Sequence, residues 1–427
     1  MPSNSLVQRG LRKLWALYPK KFLASQKSWR LLKSYPAITP TDALLQKWNA
    51  SRWEEYQRWI NNHSLQSVTD WSTRQQNDLH LPNPPKISIV TPVYNTASDV
   101  LYQCLLSVRM QTYPYWQWIL VDDGSTRPET LAMLRSGVCS DPRIQVIFGE
   151  KTQGISAATN IAIRQATGDY VAFLDHDDRL SLEALSLIAR EILNDPQIDI
   201  LYSDRDMLSP EGDRFLHLFK PDWSPETLLS GNYIFHLMCY KRQLLTELQG
   251  LRSEYDGSQD YDLILRASET QPKVQHIPKV LYHWRQHGAS VALNADSKNY
   301  AFEAGLKALN ATLQHRGIQG EATEIPGFWK GTYQLNLALP RQDSLQVISL
   351  NALQCHDQYA AFITDEIKHK NQPAQRYIAI ISDAVKPEHS NTLMRLTAWL
   401  QLDQVGLASG KVIDSEGKLV YIGMDYN

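Results

Sequence analysis

Short apolar runs alternate with segments of helical periodicity between residues 86 and 180, and this alternation constrains the fold more than any other feature. Apolar residues recur at helical spacing from Val100 to Val108, and a second helix is expected over residues 156–166. Strands are expected at the apolar runs over residues 87–91, 118–121, 144–148 and 170–174. This order predicts an α/β fold with an open, mostly parallel, Rossmann-like sheet flanked by helices.

Polar clusters follow three of these predicted strands, at residues 91–95, 122–125 and 175–178. Ligands of open parallel sheets bind beyond the carboxyl ends of the strands. We therefore expect the three clusters to meet in one crevice. The absence of Gly-x-Gly-x-x-Gly after the first strand argues against a dinucleotide-binding oxidoreductase.

The third cluster is strongly acidic, with Asp175, Asp177 and Asp178 directly after a strand. Side chains alternate along a strand, so Asp175 and Asp177 leave its end on the same side. Two carboxylates so close resist ionising unless a cation offsets their charge. Mg²⁺ or Mn²⁺ holding phosphate oxygens is such a cation. The alternative is a solvated acidic turn.

The composition limits the class of protein. A chain of 427 residues predicts two or three domains, and 43% hydrophobic with 21% charged residues is typical of soluble globular proteins. A net charge of −2 gives no attraction to nucleic acid. The widely spaced cysteines argue against structural zinc and a disulfide framework. With no long apolar segment and no secretory signal, the sequence predicts a cytoplasmic protein.

The first 40 residues are basic and amphipathic, with lysines and arginines but no acidic residue. Such a segment can lie on an anionic membrane surface, which would place the protein peripherally at the inner face of the cell membrane. The alternative is a helical arm that docks on the protein itself. An extended linker at residues 81–85 ends this helical extension, which is predicted over residues 1–85.

Short motifs then occur in a fixed order, at residues 87–95, 121–125, 154–160, 168–169, 174–178, 257–262 and 282–285. They include Thr-Pro-Val-Tyr-Asn, Asp-Asp-Gly-Ser, Asp-His-Asp-Asp, Ser-Gln-Asp-Tyr-Asp and Tyr-His-Trp-Arg. The ordered set resembles the family 2 glycosyltransferases of the GT-A fold. The resemblance implies an inverting transfer of a sugar from a nucleotide-diphosphate donor to a hydroxyl group, by a domain over residues 86–325.

The resemblance also implies roles on the donor side. Asp123 would accept a hydrogen bond from a ring N–H of the nucleotide base, and Tyr94 would stack on or flank that base. Asn95 and Asp122 either contribute to the donor site or are structural, Asn95 in a turn and Asp122 by binding backbone amides. Arg285 would reach the diphosphate, or else form an ion pair at the edge of the core.

Asp175 and Asp177 occupy the positions of the Asp-x-Asp metal dyad of this family, and Asp177 is the preferred direct ligand of Mn²⁺ or Mg²⁺. Asp178 would support them or cap a helix. His283 resembles a third metal ligand or diphosphate contact, with His287 as a substitute. An imidazole ligand would favour Mn²⁺ over Mg²⁺.

On the acceptor side, Asp260 occupies the position of the general base that takes the proton of the attacking hydroxyl. Asp262 is the second choice, or only a partner of Arg266. Residues 202–206 resemble the acceptor-facing loop, but Arg205 departs from the acidic residue usual there. Trp223 would stack on a sugar ring or serve as a packing anchor.

An internal repeat is visible near the C-terminus. Residues 377–385 align without gaps with residues 170–178, so that Ser382 and Ala384 correspond to Asp175 and Asp177. A helix over residues 393–402 and a strand over 405–413 are expected to follow. We therefore expect residues 326–427 to form a shortened, degenerate and inactive second transferase unit.

Together these features predict a glycosyltransferase for cell-surface polysaccharide or glycan assembly. Its partners would be a nucleotide-diphosphate sugar and a saccharide or lipid-linked saccharide. The alternative is a non-catalytic module that binds nucleotide or glycan. The sequence does not determine which sugar is transferred.

Overall fold

The structure, a computed structural model, describes residues 54–65, 67–136, 139–209, 212–286, 299–325, 330–340, 345–350, 377–382, 392–400, 411–413 and 419–422. The basic segment over residues 1–40, His287 and Ala384 lie outside the described residues. Two compact units are distinguished, Met1–Leu309 with Glu324–Tyr333 and Asn310–Thr323 with Gln334–Asn427. The domain boundaries expected from the sequence stay a prediction.

A nine-stranded sheet forms the centre of the first unit, within the ranges that the structure describes. Its strands are β1 (Ile87–Val93), β2 (Trp116–Asp122), β3 (Ile144–Phe148), β4 (Tyr170–Phe173), β5 (Arg179–Leu180), β6 (Ile200–Leu208), β7 (Arg214–Leu218), β8 (Met238–Lys241) and β9 (Val274–Arg285). They lie in the order β3-β2-β1-β4-β8-β6-β9-β5, and β7 pairs with β6.

The sheet is mixed. Strands β1 to β4 are parallel to their neighbours in the β3-β2-β1-β4 block, and β6 is parallel to β9. Strand β8 runs antiparallel to both β4 and β6, while β5 and β7 are antiparallel additions to β9 and β6. The predicted α/β class and all four predicted strands are confirmed.

Helices precede, connect and follow these strands. They comprise residues 54–63, Val68–Leu79, Ser98–Arg109, Pro128–Leu134, Ile155–Gln165, Ala184–Asn194, Pro225–Leu228, Arg242–Glu247, Gln259–Ser268 and Asn299–His315, with a 3₁₀ turn at Ser253–Tyr255. The two helices expected between residues 100 and 166 are both present. No helix among the described residues combines the length and apolar character needed to cross a bilayer.

Strand β1 lies in the middle of the hydrophobic core, and all seven of its residues are buried. Near-continuous apolar sequence is typical of a strand covered on both faces. Trp118 of β2 is fully buried, and its indole N–H donates to Thr91 Oγ1 at 2.9 Å. The apolar residues Leu101, Leu105 and Val108 of the helix Ser98–Arg109 are buried in the same core.

Three further two-stranded pairings are described: β10 (Gly320–Glu324) with β11 (Tyr333–Leu337), β12 (Leu345–Leu350) with β13 (Tyr377–Ser382), and β14 (Lys411–Ile413) with β15 (Leu419–Ile422). They belong to the second unit except for Glu324 and Tyr333, which belong to the first. A helix spans Thr392–Trp399. Strands β12 and β13 are parallel and Leu345 pairs with Tyr377, just as Ile87 of β1 pairs with Tyr170 of β4. The backbone pairing thus agrees with the aligned repeat, although its inactivity stays a prediction.

Candidate active site

The three polar clusters meet at one edge of the sheet, because β1, β2 and β4 are adjacent and parallel. Val93 at the end of β1 pairs with Asp122 at the end of β2. The Asn95 amide donates to Ser125 Oγ at 2.9 Å, which joins the first two clusters. Thr96 Oγ1 lies 2.9 Å from Nδ1 of His176 in the third cluster. The three polar clusters therefore meet at the strand ends, as expected.

Asp122 and Asp123 both bind backbone amides. Asp123 accepts from the N–H groups of Gln153 at 2.8 Å and Gly154 at 3.1 Å, where the helix Ile155–Gln165 begins. Asp122 Oδ2 accepts from the Ser125 N–H at 3.2 Å, and its Oδ1 is buried without a hydrogen-bond partner among the described residues. Both carboxylates are thus held rigidly at the end of β2, and their contact with a nucleotide base stays a prediction.

Asn95 shapes the turn that follows β1. Its φ of 47° lies in the left-handed region, which Asn tolerates better than most residues. Its Oδ1 accepts from the N–H groups of Thr126 at 2.8 Å and Arg127 at 2.9 Å, so the two strand ends are tied together. The neighbouring Tyr94 side chain is 46% exposed, which leaves its ring accessible to a ligand.

Asp178 is the most enclosed member of the acidic cluster. Its oxygens accept from the Tyr282 hydroxyl at 2.6 Å and from the Arg285 N–H at 2.6 Å. Burial raises the pKa of Asp178 well above its usual value, and the charges of Asp177 and Asp175 raise it further. A cation in contact with this carboxylate would lower the pKa of Asp178 again.

The guanidinium of Arg285 supports the loop that carries the acidic cluster. Its Nε donates to the Asp177 carbonyl at 2.8 Å and one terminal nitrogen donates to Gln103 Oε1 at 2.7 Å. Because Arg285 is only 3% exposed, burial lowers its pKa. Both acceptors are neutral groups, so these two contacts are not the ion pair of the alternative role, and a contact with the diphosphate stays a prediction.

His236 joins the acidic cluster, although no sequence motif pointed to it. The side chains of Asp175, Asp178 and His236 offer ligand atoms that all lie within 4.8 Å of one another. His236 Nε2 is 3.8 Å from Asp175 Oδ2. Burial, with help from the positive Arg205, lowers the pKa of His236 to about 3. A neutral imidazole beside two carboxylates is a donor set that fits a divalent transition metal such as Mn²⁺.

His283 lies in a different environment from the one expected for a metal ligand. Its Nδ1 is 2.6 Å from Oδ1 of Asp206, and both residues are almost completely buried. The same carboxylate accepts from Tyr56 and from Arg214, each at 2.6 Å. The structure thus groups Asp175 with His236 and pairs His283 with Asp206, while the metal-binding role of His283 stays a prediction.

Asp260 lies in the first turn of the helix Gln259–Ser268 and is half-buried. Burial raises its pKa to about 6, although Asn232 Nδ2 donates to Asp260 Oδ2 at 2.9 Å and opposes the shift. A carboxylate with such a pKa is suited to accept a proton near neutral pH. Asp262, the second choice, is 1% exposed and bound by both Arg252 and Arg266, as a structural ion pair would be.

Arg205, in the segment predicted to face the acceptor, packs against two aromatic rings. Its guanidinium carbon lies 5.0 Å from the ring centre of Phe235 and 4.7 Å from that of Trp284, in the geometry of cation–π contacts. Trp284 is in turn 6.1 Å from the His236 ring. The basic side chain therefore lies beside the candidate metal group. Trp223 is half-buried, and its contact with a sugar stays a prediction.

Residues 88–245 match the model of the family described as Glycosyl transferase family 2, and this part of the chain belongs to that family. The chain is 37% identical over 271 residues to the O-antigen biosynthesis protein RfbC of Myxococcus xanthus, covering 64% of this chain and 21% of that protein. It is 29% identical over 240 residues to a chondroitin synthase of Escherichia coli, covering 56% and 34%. It thus spans a fifth to a third of these relatives.

Proposed function

We propose that this chain is an inverting glycosyltransferase. It moves a sugar from a nucleotide-diphosphate donor to a hydroxyl of a saccharide or lipid-linked saccharide, in the assembly of a cell-surface polysaccharide. The relatives named for O-antigen biosynthesis and for chondroitin synthesis support the saccharide acceptor. A cytoplasmic location, peripheral at the membrane if the basic segment over residues 1–40 binds lipid, belongs to the same proposal.

One observation carries the proposal: a single short segment of the chain contacts both a carboxylate with a raised pKa and the candidate metal group. Asn232 contacts Asp260, and His236 lies beside Asp175. Four residues of extended chain span at most about 14 Å. A sugar bound between the two groups would have a base on one side and its diphosphate on the other.

The residues of this chain then act as follows. Asp260 takes the proton of the acceptor hydroxyl. The hydroxyl oxygen attacks the anomeric carbon at the same time, from the side opposite the nucleotide. The bond from that carbon to the diphosphate breaks, and its electron pair stays on the phosphate oxygen. Asp175, Asp177, Asp178 and His236 are the residues that would hold Mn²⁺ or Mg²⁺. The metal, when bound, would neutralise charge on the departing diphosphate.

Release of nucleotide diphosphate from a panel of sugar nucleotides, with Mn²⁺ and a panel of methyl glycosides as acceptors, tests the proposal. We expect turnover with one donor and a loss of about 10²- to 10⁴-fold in Asp260→Asn, because a general base contributes that much. Glu247→Gln, at an exposed position of a helix, is the control that should leave turnover unchanged. Nucleotide binding without turnover in the unchanged protein would instead support a non-catalytic binding module.

A further inference from the structure

The segment over residues 230–237, between the helix Pro225–Leu228 and β8, is held firmly in place. We call it the bridging segment. The buried Lys220 donates from Nζ to the carbonyls of Ile234 at 2.9 Å and His236 at 2.7 Å. At its start the Ser230 carbonyl accepts from the Tyr333 N–H at 2.9 Å. A residue on this segment therefore has little freedom to move away from its neighbours.

Asn232 is the residue of the bridging segment that faces the candidate base. Its Nδ2 donates to Asp260 Oδ2 at 2.9 Å. An ionised carboxylate can only accept hydrogen bonds, so the amide nitrogen and not the oxygen must point toward it. The other end of the amide, Oδ1, is buried and has no hydrogen-bond partner among the described residues.

A buried acceptor without a donor costs free energy, so such an atom is expected to gain a partner when the site is filled. Next to the base, the ligand expected under the proposed function is an acceptor sugar. A sugar hydroxyl is a hydrogen-bond donor, and a sugar that presents one hydroxyl to Asp260 presents neighbouring hydroxyls close to it.

We propose that Asn232 is a further residue of the transfer site: its Nδ2 positions the Asp260 carboxylate, and its Oδ1 accepts a hydrogen bond from a hydroxyl next to the attacking one. The inference rests on the proposed function and adds an acceptor class to it. The acceptor is a sugar with a second free hydroxyl beside the one that is glycosylated.

Kinetic analysis of Asn232→Ala tests the positioning role, using the sugar nucleotide and the methyl glycoside that support transfer by the unchanged protein. We expect kcat/KM for the acceptor to fall about 10- to 100-fold, as for the loss of a hydrogen bond to a charged group. The KM for the donor should change less than about twofold. Asn194→Ala, at an exposed helix end, is the matched control and should behave as the unchanged protein.

A double substitution separates positioning from a merely structural effect. If Nδ2 of Asn232 acts through Asp260, Asn232→Ala should lower kcat/KM less in the Asp260→Asn background than in the unchanged protein, because only the Oδ1 contact is then left to lose. Additive losses, or a loss of donor binding in Asn232→Ala, would contradict the positioning role.

A series of monodeoxy methyl glycosides tests the second contact. For the unchanged protein, one monodeoxy glycoside should be a poorer acceptor than the parent glycoside by about tenfold or more. For Asn232→Ala, the same monodeoxy glycoside should be as good an acceptor as the parent glycoside. Equal discrimination by both proteins would overturn this contact. No transfer by the unchanged protein with any donor would overturn the proposed function together with the inference, whereas transfer unaffected by Asn232→Ala overturns the inference alone.

Discussion

At the scale of single residues, the aspartates of the site have the same side chain and differ in the groups that bind their carboxylates. Asp123 binds backbone amides, Asp178 binds a tyrosine hydroxyl and a backbone N–H, and Asp262 pairs with two arginines. Asp260 instead has a neutral amide as its side-chain partner and a raised pKa. The environment, rather than the residue type, thus singles out the candidate base.

The raised pKa of Asp260 predicts how activity depends on pH. Below about pH 6 this carboxyl is protonated and cannot accept a proton, so kcat/KM should rise with pH through about 6 and level off above it. A pH–rate profile from pH 5 to 8.5 at saturating Mn²⁺ checks this. A profile that stays flat across pH 6 would count against Asp260 as the base.

Removal of His236 should weaken metal binding. In His236→Ala we expect the apparent dissociation constant for Mn²⁺, measured by titration calorimetry with nucleoside diphosphate present, to rise by at least about 10- to 100-fold, because loss of an outer-shell partner alone costs that much and here a ligand atom is lost. His80→Ala, which changes an exposed histidine, is the control. An unchanged Mn²⁺ affinity would exclude His236 as a ligand and leave His283 as the histidine to test.

At the scale of structural elements, the bridging segment depends on one buried lysine. Burial lowers the pKa of Lys220 well below its ordinary value, and its Nζ is the donor for two carbonyls of the segment. Lys220→Met should destabilise the protein by about 2 kcal/mol, since those carbonyls lose their donor. Urea denaturation measures the change, with the exposed Lys151→Met as control; equal midpoints would show that the lysine does not fix the segment.

At the scale of the whole molecule, the helix over residues 54–63 is tied to the central sheet by a buried polar network. The Tyr56 hydroxyl donates to Asp206, whose carboxylate also binds Arg214 and His283. Tyr56→Phe should lower the free energy of unfolding by about 1–3 kcal/mol, because a charged buried acceptor loses one donor. Tyr300→Phe, at a tyrosine that is 56% exposed, should have no measurable effect on the same denaturation curve.

The second unit contains one strand pair that resembles a pair in the first unit. The parallel pairing of β12 with β13 has the register of β1 with β4, but 26 residues separate Leu350 from Tyr377, compared with 76 between Val93 and Tyr170. A shortened and inactive second unit therefore stays the prediction for this part of the chain, with Ser382 in place of Asp175.

The sequence by itself determined four strands of the central sheet, two of the helices that connect them, and the polar ends of three of these strands. Periodicity is a local property, so the strands at residues 87–93 and 170–173 and the helices between them could be predicted from neighbouring residues. The convergence of the three clusters followed from a general property of parallel sheets. The family motif pointed to Asp260 as the base, and the structure places this residue in the first turn of a helix.

Only the tertiary structure decided which partner each polar side chain has. Asn232 and Asp260 are 28 residues apart, Asp206 and His283 are 77 apart, and Asp178 and Tyr282 are 104 apart. The antiparallel β8, which directs the bridging segment toward both Asp260 and Asp175, had no local signature either. Such contacts depend on how distant segments of the chain pack against each other. They therefore cannot be predicted from a short pattern of neighbouring residues.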